Sequence, residues 1–295
     1  MAFFLEVLVT GLMVGIMYSL VALGFVLIYK ASDVFNMAQG AMSLFAGLAL
    51  VGFLTQYMQL PLWLALILTI AVMTIVAYLV VFVVLKPLVA RPPLMLFMAT
   101  FGVAYLLEGI GQSIWGTQAK GLELGIPEHS FEVAGMFMNT FDLFFAGIAA
   151  LLVGGLIWFF QKTRTGRALR AVSDDHEAAL SVGIPLLKAW YVTWVIAGIV
   201  ATVAGVAWGT RLGVQFSLSL IALKALPVLI IGGIDSIPGA IIAGLIVGAG
   251  ENLGEVFLGP YVGGGIQTFF PYLLALIVLY FRPYGLFGKE IIERV

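Results

Sequence analysis

Side chains that could do chemistry are concentrated in one segment of this sequence, residues 161–189. Its basic members are Lys162, Arg164, Arg167, Arg170 and Lys188, and its acidic members are Asp174, Asp175 and Glu177. The chain has no cysteine, and its two histidines, His129 and His176, lie far apart, so we expect neither a metal site nor a cofactor. It also has no G-x-x-x-x-G-K-[ST] phosphate loop. The sequence therefore offers no catalytic or metal-binding set of residues, and we expect no enzyme activity and no nucleic-acid partner.

The acidic half of this segment predicts a short helix with both ends specified. Asp174 can cap the helix start, and Glu177 can reach back to it as in a capping box. Gly183 is a natural stop, and Pro185 prevents continuation. These signals predict a helix of about two turns near residues 175–182. Its small apolar surface is formed by Ala178, Ala179, Leu180 and Val182. Such a unit suits rigid docking into the groove of a partner; the alternative is a solvated basic loop with an incidental helical turn.

The rest of the chain must hold this segment, and its composition is that of a membrane protein. Of its 295 residues, 62% are hydrophobic and only 10% are charged, with a mean hydropathy of +1.14. A soluble domain carries roughly 25% charged residues, so this chain could not cover a water-facing surface. A lipid bilayer is the expected solvent.

Apolar runs of span length recur along the whole chain. They cover residues 5–29, 37–57, 60–85, 94–113, 141–160, 190–210, 217–233, 238–256 and 266–282. Because a backbone in lipid must satisfy its own hydrogen bonds, we expect helices. The predicted fold is all-α: a polytopic integral membrane protein with eight or nine transmembrane helices, some broken or re-entrant. The range 217–256 is either two full spans or includes a re-entrant segment.

The distribution of Lys and Arg predicts the orientation of the chain. Basic residues fill loops 161–189 and 86–93 and the tail, where Arg282, Lys289 and Arg294 lie. Loop 114–140 holds a single Lys120 against Glu123, Glu128 and Glu132. We therefore expect the basic loops in the cytoplasm and loop 114–140 outside. This places the N-terminus outside and the C-terminus inside.

Two polar, small-residue breaks interrupt the apolar pattern, at residues 33–41 and 232–239. Each combines capping residue types with glycine, which predicts a helix stop followed by a helix start. Aligning Gly40-Ala41 with Gly239-Ala240 sets Asn36 opposite Asp235. Two explanations of this match are open: an internal repeat, which is common in transporters, and chance.

Polar side chains inside or between spans are candidates for a translocation pathway, since polar groups are costly in lipid. The candidates are Asn36, Gln39, Gly40, Glu108, Gln112 and Asp235. For Glu108 the alternative is a structural acid paired with Arg211 or Lys224. For Asn36, Gln39 and Asp235 the alternative is helix capping.

Several of these motifs resemble one known family, the permeases of branched-chain amino acid ABC importers. Residues 177–183 match the EAA-x3-G loop of ABC importer permeases, within a wider similar run from Gly166 to Ile184. Residues 18–24 and 36–40, 229–240 and 282–288 also resemble that family, in the same order. The similarity spans about residues 5–290. One departure is Gln39, where the family often has His.

The resemblance implies a single transmembrane permease domain over residues 1–295 in a bacterial inner membrane. Implied partners are a second, related permease in a heterodimer, two cytoplasmic ATPases and an extracytoplasmic substrate-binding protein. The resemblance assigns ATPase coupling to the 161–189 loop, at Arg164, Gly166, Arg167, Arg170, Asp174, Glu177, Ala178, Ala179 and Gly183. ATP hydrolysis would lie on the partners.

The expected function is import of branched-chain or related amino acids by alternating access. Urea or short amides are alternative substrates within the same class of importer. A self-powered secondary transporter and a membrane scaffold that transports nothing are alternatives from other classes. The capped EAA-x3-G loop argues against a self-powered carrier, which has no need of it.

Overall fold

The computed structural model is helical throughout most of its length. It describes residues 2–56, 58–89, 91–125, 129–133, 136–174 and 176–288. The α-helices are α1 (Ala2–Ser32), α2 (Gln39–Val51), α3 (Leu62–Leu79), α4 (Pro93–Trp115), α5 (Thr140–Lys162), α6 (Arg164–Asp174), α7 (His176–Ser181), α8 (Leu186–Leu212), α9 (Ile221–Gly232), α10 (Ile237–Phe257), α11 (Gly259–Val262) and α12 (Ile266–Phe281). Strands β1 (Ser130–Val133) and β2 (Met136–Asn139) form an antiparallel hairpin within loop 114–140.

Short π and 3₁₀ segments extend three of these helices. α2 continues as a π-helical turn over Gly52–Gln56, and α3 continues through Val80–Leu85 to Lys86–Leu88. A 3₁₀ turn, Phe216–Leu220, leads into α9. These irregular segments leave the helix count unchanged.

Every apolar run in the sequence forms a helix. Six helices are long and apolar enough to cross a bilayer: Phe3–Ser32, Leu62–Leu88, Pro93–Trp115, Thr140–Lys162, Leu186–Leu212 and Ile237–Phe257. Three shorter apolar helices cover Gln39–Leu54, Phe216–Gly232 and Ile266–Phe281. The predicted all-α, polytopic membrane fold is confirmed. The hairpin is an addition that the sequence analysis did not predict.

The chain divides into two compact units. The first comprises Met1–Val26, Gly125–Val153 and Leu223–Val295, and the second comprises Leu27–Leu124 and Gly154–Ala222. Three of the unit boundaries fall inside helices, within α1, α5 and α9.

The second unit is built around α2. All 13 residues of α2 are buried, which its small and apolar sequence permits. Gly205 of α8 lies directly against the backbone of Ser43, so the two helices approach closely. The surrounding core includes Met73, Trp190 and Trp194. The Trp190 indole donates a 3.1 Å hydrogen bond to the carbonyl of Ala31 and thereby satisfies its polar atom inside the core.

The first unit is held by close packing between α1 and α10. Gly11 and Gly15 of α1 meet the backbone of α10 at Gly244, Gly248 and Ala249, where no side chain would fit. The Ser19 hydroxyl hydrogen-bonds back to the Gly15 carbonyl, at 2.9 Å. In lipid the hydrophobic effect does not hold helices together, so small residues that let backbones approach provide the packing energy. The glycines of α1 and α10 therefore serve helix packing.

Candidate functional sites

The segment with the charged side chains begins at a sharp turn organised by Thr163. The Thr163 hydroxyl donates to the Phe159 carbonyl at 2.7 Å and accepts from the Gly166 amide at 2.9 Å. Gly166 itself lies against the backbone of Phe159 and Phe160, so any side chain there would collide with α5. These contacts attach α6 rigidly to the end of α5. Thr163 was not among the predicted site residues, although a threonine three residues before a glycine at a helix start is a capping signal.

Helix α6 has one buried and one exposed face. Leu169 and Val172 are buried, as expected for positions three residues apart on one helix face. Arg164, Arg167 and Arg170 are exposed on the other face. The sequence predicted only the shorter helix that follows, and these arginines were expected in a loop. The spacing of the three arginines is the signal that would have revealed α6.

Helix α7 spans His176–Ser181, close to the predicted range 175–182. It ends in a Schellman motif: the Ile184 amide bonds the Ala179 carbonyl and the Gly183 amide bonds the Leu180 carbonyl, both at 3.0 Å. Gly183 has φ +84°, a conformation that favours glycine. The predicted stop at Gly183 is thus present. The predicted capping box lies outside the described residues, since it rests on the side chains of Asp174 and Glu177.

Apolar side chains are exposed at the end of α7 and directly after it. Ala179 is buried, with 3% of its surface exposed, whereas Leu180 and Val182 are 52% and 74% exposed. Ala178 is also exposed. A cleft of about 270 Å³ lies between this segment and the start of α8, lined by Arg164, Leu169, Gly183, Pro185 and Lys188 among others. The segment therefore presents a small apolar knob flanked by cationic side chains.

The break between α1 and α2 carries a buried polar cluster. Asn36 and Gln39 are completely buried; the Asn36 amide nitrogen donates to Gln39 Oε1 at 3.3 Å, and Asn36 Oδ1 accepts from the Ala38 amide at 3.1 Å. Thr100 of α4 closes the break by bonding the Phe35 carbonyl and the Met37 amide. Gln39 Nε2 has no hydrogen-bond partner among the described residues.

Gly40 has a packing role in this cluster. It lies directly against the Ser219 carbonyl and the Ala222 side chain. Any side chain at position 40 would overlap backbone atoms that cannot move independently.

The break between α9 and α10 is capped by Ser236 and covered by the C-terminal segment. The Ser236 hydroxyl accepts from the Gly239 amide at 3.1 Å. The amides of Leu286 and Phe287 bond the carbonyls of Ile231 and Gly232, at 2.8 and 3.1 Å. Backbone hydrogen bonds thus join the motifs 229–240 and 282–288, which lie about fifty residues apart in the sequence. Asp235 is half-buried, and its neighbour Ser236 provides the cap.

The two candidates on α4 are less enclosed. Glu108 is half-exposed, and within the described ranges it has no hydrogen-bonding or ionic partner. The suggested pair with Arg211 is not present there. Gln112 is exposed, and its carbonyl accepts from the Gly116 amide at the helix end. The structure does not bring these two residues into the buried cluster around Asn36.

A buried acid on α10, Glu251, was not predicted as a site residue. Only 3% of its surface is exposed. It hydrogen-bonds the Tyr18 side chain and lies close enough to Lys224 for an electrostatic interaction, while its Oε1 has no hydrogen-bond partner among the described residues. The signal in the sequence was a charge inside the apolar run 238–256.

Comparison with known proteins agrees with this architecture along the whole chain. The model of the family described as "Branched-chain amino acid transport system / permease component" matches residues 7–281. The high-affinity branched-chain amino acid transport system permease protein BraD of Pseudomonas aeruginosa is 27% identical, over 99% of this chain and 98% of BraD. The probable branched-chain amino acid transport permease protein LivH of Methanocaldococcus jannaschii is 29% identical, over 92% of this chain and 88% of LivH.

More distant similarities extend to a sugar permease and to a solved structure. The L-arabinose transport system permease protein AraH of Escherichia coli is 26% identical, over 56% of this chain and 51% of AraH. The structure of PsaBC from Streptococcus pneumoniae in complex with Fab aligns with a TM-score of 0.51 at 15% identity, covering 95% of this chain and 91% of that one. At this identity the likeness concerns the fold alone. From its family match and its apolar helices, this chain is a multi-pass membrane protein that belongs to the family of branched-chain amino acid transport system permease components.

Proposed function

We propose that this chain is the membrane-spanning permease subunit of an ABC importer that carries branched-chain or related amino acids across a bacterial inner membrane. The observation that carries the proposal is the α6–α7 segment, which is attached rigidly at Thr163 and Gly166 and closed at Gly183. A segment of this kind transmits force between a membrane domain and a partner. Similarity to BraD and LivH over nearly the full chain supports the same function.

The α7 knob is the proposed contact with a cytoplasmic ATPase. Leu180 and Val182 are exposed, and they lie beyond the end of the span Thr140–Lys162. With the basic loop in the cytoplasm, lipid would not cover these two side chains, so a protein partner is the expected cover. The arginines Arg164, Arg167 and Arg170 flank the knob and favour a cytoplasmic location and an acidic rim on the partner. Ala178, Asp174 and Glu177 belong to the same proposed contact. ATP hydrolysis takes place on the partner, and this chain is not an enzyme.

The assembled importer contains two such ATPases, a second related permease and an extracytoplasmic substrate-binding protein. In this arrangement the N-terminus lies outside, loop 114–140 faces the binding protein, and the C-terminus is cytoplasmic. The positive-inside distribution of Lys and Arg supports this orientation. The whole chain acts as one transmembrane permease domain that alternates between outward and inward access.

The substrate route is proposed to pass the helix breaks. Gln39 and Asn36 provide buried amides beside a broken helix, an environment in which transporters bind their substrates. Gln39 supplies a donor with no partner among the described residues, Gly40 keeps the helices close, and Asp235 lies at the second break. Glu108 and Gln112 belong to the outer part of the same route.

Reconstitution of the complete importer tests the proposal. The complete importer is reconstituted in proteoliposomes from this chain, the second permease, the ATPases and the binding protein. Uptake of labelled leucine is then measured without ATP, with ATP inside the vesicles and with ATP outside them. We expect leucine uptake to require ATP on the side of the membrane where the ATPases lie. We also expect that urea and acetamide do not compete with leucine. Uptake without ATP would favour a self-powered carrier, and selective uptake of urea or amides would replace the proposed substrate.

A second arm of the same experiment tests the docking contact. Val182→Glu and Gly183→Val should each reduce co-purification of the ATPases and ATP-driven uptake by about tenfold, the effect of losing one well-packed contact. Val89→Glu, an exposed valine in the other basic loop, is the matched control and should leave both unchanged. Full ATPase association in the Val182 and Gly183 variants would reject docking at α7.

A further inference from the structure

The cleft at the base of the charged segment lies between the first turns of α6 and α8 and has a volume of about 270 Å³. Its polar side chains are those of Arg164, Thr165 and Lys188, and its apolar wall includes Leu169 and Val192. Every residue that lines it belongs to the second compact unit. The cleft therefore combines two cations with an apolar wall, and an anionic amphiphile is the ligand that uses both.

The two cations of the cleft are available to a ligand. Arg164 and Lys188 are exposed, and neither has a hydrogen-bonding or ionic partner for its side chain among the described residues. The other two arginines of α6 do not line the cleft, and Arg167 instead donates a 3.2 Å hydrogen bond to the Lys162 carbonyl. Because Arg164 comes from α6 and Lys188 from α8, an anion held by both would connect the two helices.

The position of the cleft along the spans indicates which anion it meets. The span of α5 ends at Lys162 and the span of α8 begins at Leu186, so the cleft lies at the ends of two spans. Ala189 and Val192 on its wall already belong to the α8 span. The headgroups of a bilayer lie at this level, and basic pockets between the ends of membrane helices bind phospholipid headgroups.

We propose that this cleft binds the headgroup of an anionic phospholipid, with the phosphate at Arg164 and Lys188 and the start of the acyl chains against Ala189 and Val192. The volume suits a headgroup rather than a whole lipid, since pockets that enclose a drug-sized ligand usually begin at about 300 Å³. The bound lipid connects α6 to α8 and fastens the charged segment to the membrane surface. This inference goes beyond the proposed function and does not depend on the cargo.

The competing occupant is an acidic side chain of a partner protein, which would use the same two cations. The apolar wall favours the lipid, because a carboxylate on a protein rim does not require a wall that continues into a membrane span. The exposed side chains of Leu180 and Val182, at which an ATPase is proposed to dock, do not line the cleft. The two surfaces are therefore separate and can be tested separately.

Native mass spectrometry of the purified full-length chain tests the proposal by counting bound lipids during a titration. The two probes are phosphatidylglycerol and phosphatidylcholine with the same acyl chains. The wild type should bind one phosphatidylglycerol about tenfold or more tightly than phosphatidylcholine, because the choline cation opposes the two cations of the cleft. Arg164→Gln combined with Lys188→Gln should remove this preference. Phosphatidylglycerol should also raise the thermal unfolding midpoint of the wild type and not that of the double variant.

Arg91→Gln combined with Lys162→Gln is the matched control. Both residues are exposed at the ends of spans and outside the cleft, and this pair removes the same net charge. The control should keep the preference for phosphatidylglycerol and the rise of the unfolding midpoint. An equal loss in the two double variants would mean that the lipid is held by diffuse surface charge, and a preference that survives in the cleft variant would exclude the cleft. Either result overturns the inference.

Two further measurements identify the source of the anion. Inorganic phosphate should not displace phosphatidylglycerol, because it makes no use of the apolar wall; equal displacement by free phosphate would assign the cleft to a soluble anion. In the assembled importer, the ATPases should leave the bound lipid in place. Release of the lipid by the ATPases would assign Arg164 and Lys188 to an acidic residue of the partner. Each of these contrary results overturns the inference while the proposed function stands.

Discussion

The two helix breaks look alike in sequence and are supported in different ways. At the break between α1 and α2, Asn36 accepts from the Ala38 amide and Thr100 bonds two further backbone groups, while Gln39 accepts from the Asn36 side chain. At the break between α9 and α10, a serine caps the new helix and the backbone of residues 286–287 bonds the last carbonyls of α9. The first break thus depends on polar side chains, and the second on a distant backbone segment.

This difference suggests a division of roles. A break held by side chains keeps polar groups at membrane depth, including the Gln39 donor with no partner among the described residues. A break closed by backbone hydrogen bonds has its carbonyls satisfied and is suited to mechanical support. We therefore expect substitutions of polar residues at the first break to affect mainly transport, and substitutions at the second break to affect mainly stability. Substitutions of the closely packed glycines should lower stability at both breaks.

The largest expected effect comes from filling the close contact at the first break. Gly40→Val would drive a branched side chain into the Ser219 carbonyl, so we expect little or no folded protein, a loss above about 4 kcal/mol. Gly102→Val is the control, because nothing lies within 4 Å of a Cβ there, and it should cost less than about 1 kcal/mol. Fluorescence-detected size exclusion measures both. Equal yields would show that the contact at Gly40 is not required.

A smaller loss is expected where the tail covers the second break. Gly285 has φ +76°, and its Cβ would lie 2.6 Å from the Ile230 carbonyl. Gly285→Ala should lower stability by about 3 kcal/mol, from strain and overlap together. Gly263→Ala has a similar φ of +92° with open space around it, so it reports the strain alone, about 1–2 kcal/mol. If the two variants have the same unfolding midpoint, the tail does not support the break.

Loss of the cap at the second break should have a moderate effect. Ser236→Ala removes the acceptor for the Gly239 amide and should cost about 1 kcal/mol, visible as a lower unfolding midpoint. Uptake per folded transporter should remain at the wild-type level. Ser236→Asn, which keeps a capping oxygen, should restore the midpoint. A strong loss of uptake at unchanged stability would show that Ser236 acts in transport and not only as a helix cap.

The smallest expected change in stability is at Gln39. Gln39→Met keeps the length of the side chain and removes both a 3.3 Å hydrogen bond with Asn36 and a donor without a partner among the described residues. These two effects oppose each other, so the change should stay within about 1 kcal/mol. Leucine uptake should nevertheless fall severalfold. Unchanged uptake would assign Gln39 a structural role only.

Much of this molecule could be predicted from the sequence because its solvent is lipid. Hydropathy predicted every apolar helix, and Gly183 with Pro185 predicted the end of α7. The contacts between distant segments could not be predicted in this way. Nothing local in residues 282–288 indicates that they bond to Ile231 and Gly232, and burial of Glu251 depends on α1 packing through glycine. Helix α6 was missed because its three arginines suggested topology rather than periodicity.

The docking of an ATPase on α7 can be measured directly, because this chain has no cysteine. Val182→Cys introduces one reactive thiol on the exposed knob, and Val89→Cys introduces one on the other basic loop. The rate of maleimide labelling is measured in membranes with and without the partner ATPases. We expect the ATPases to slow labelling at position 182 by about tenfold or more and to leave position 89 unchanged, as burial in a well-packed interface requires. Equal labelling of position 182 in both preparations would reject docking at α7.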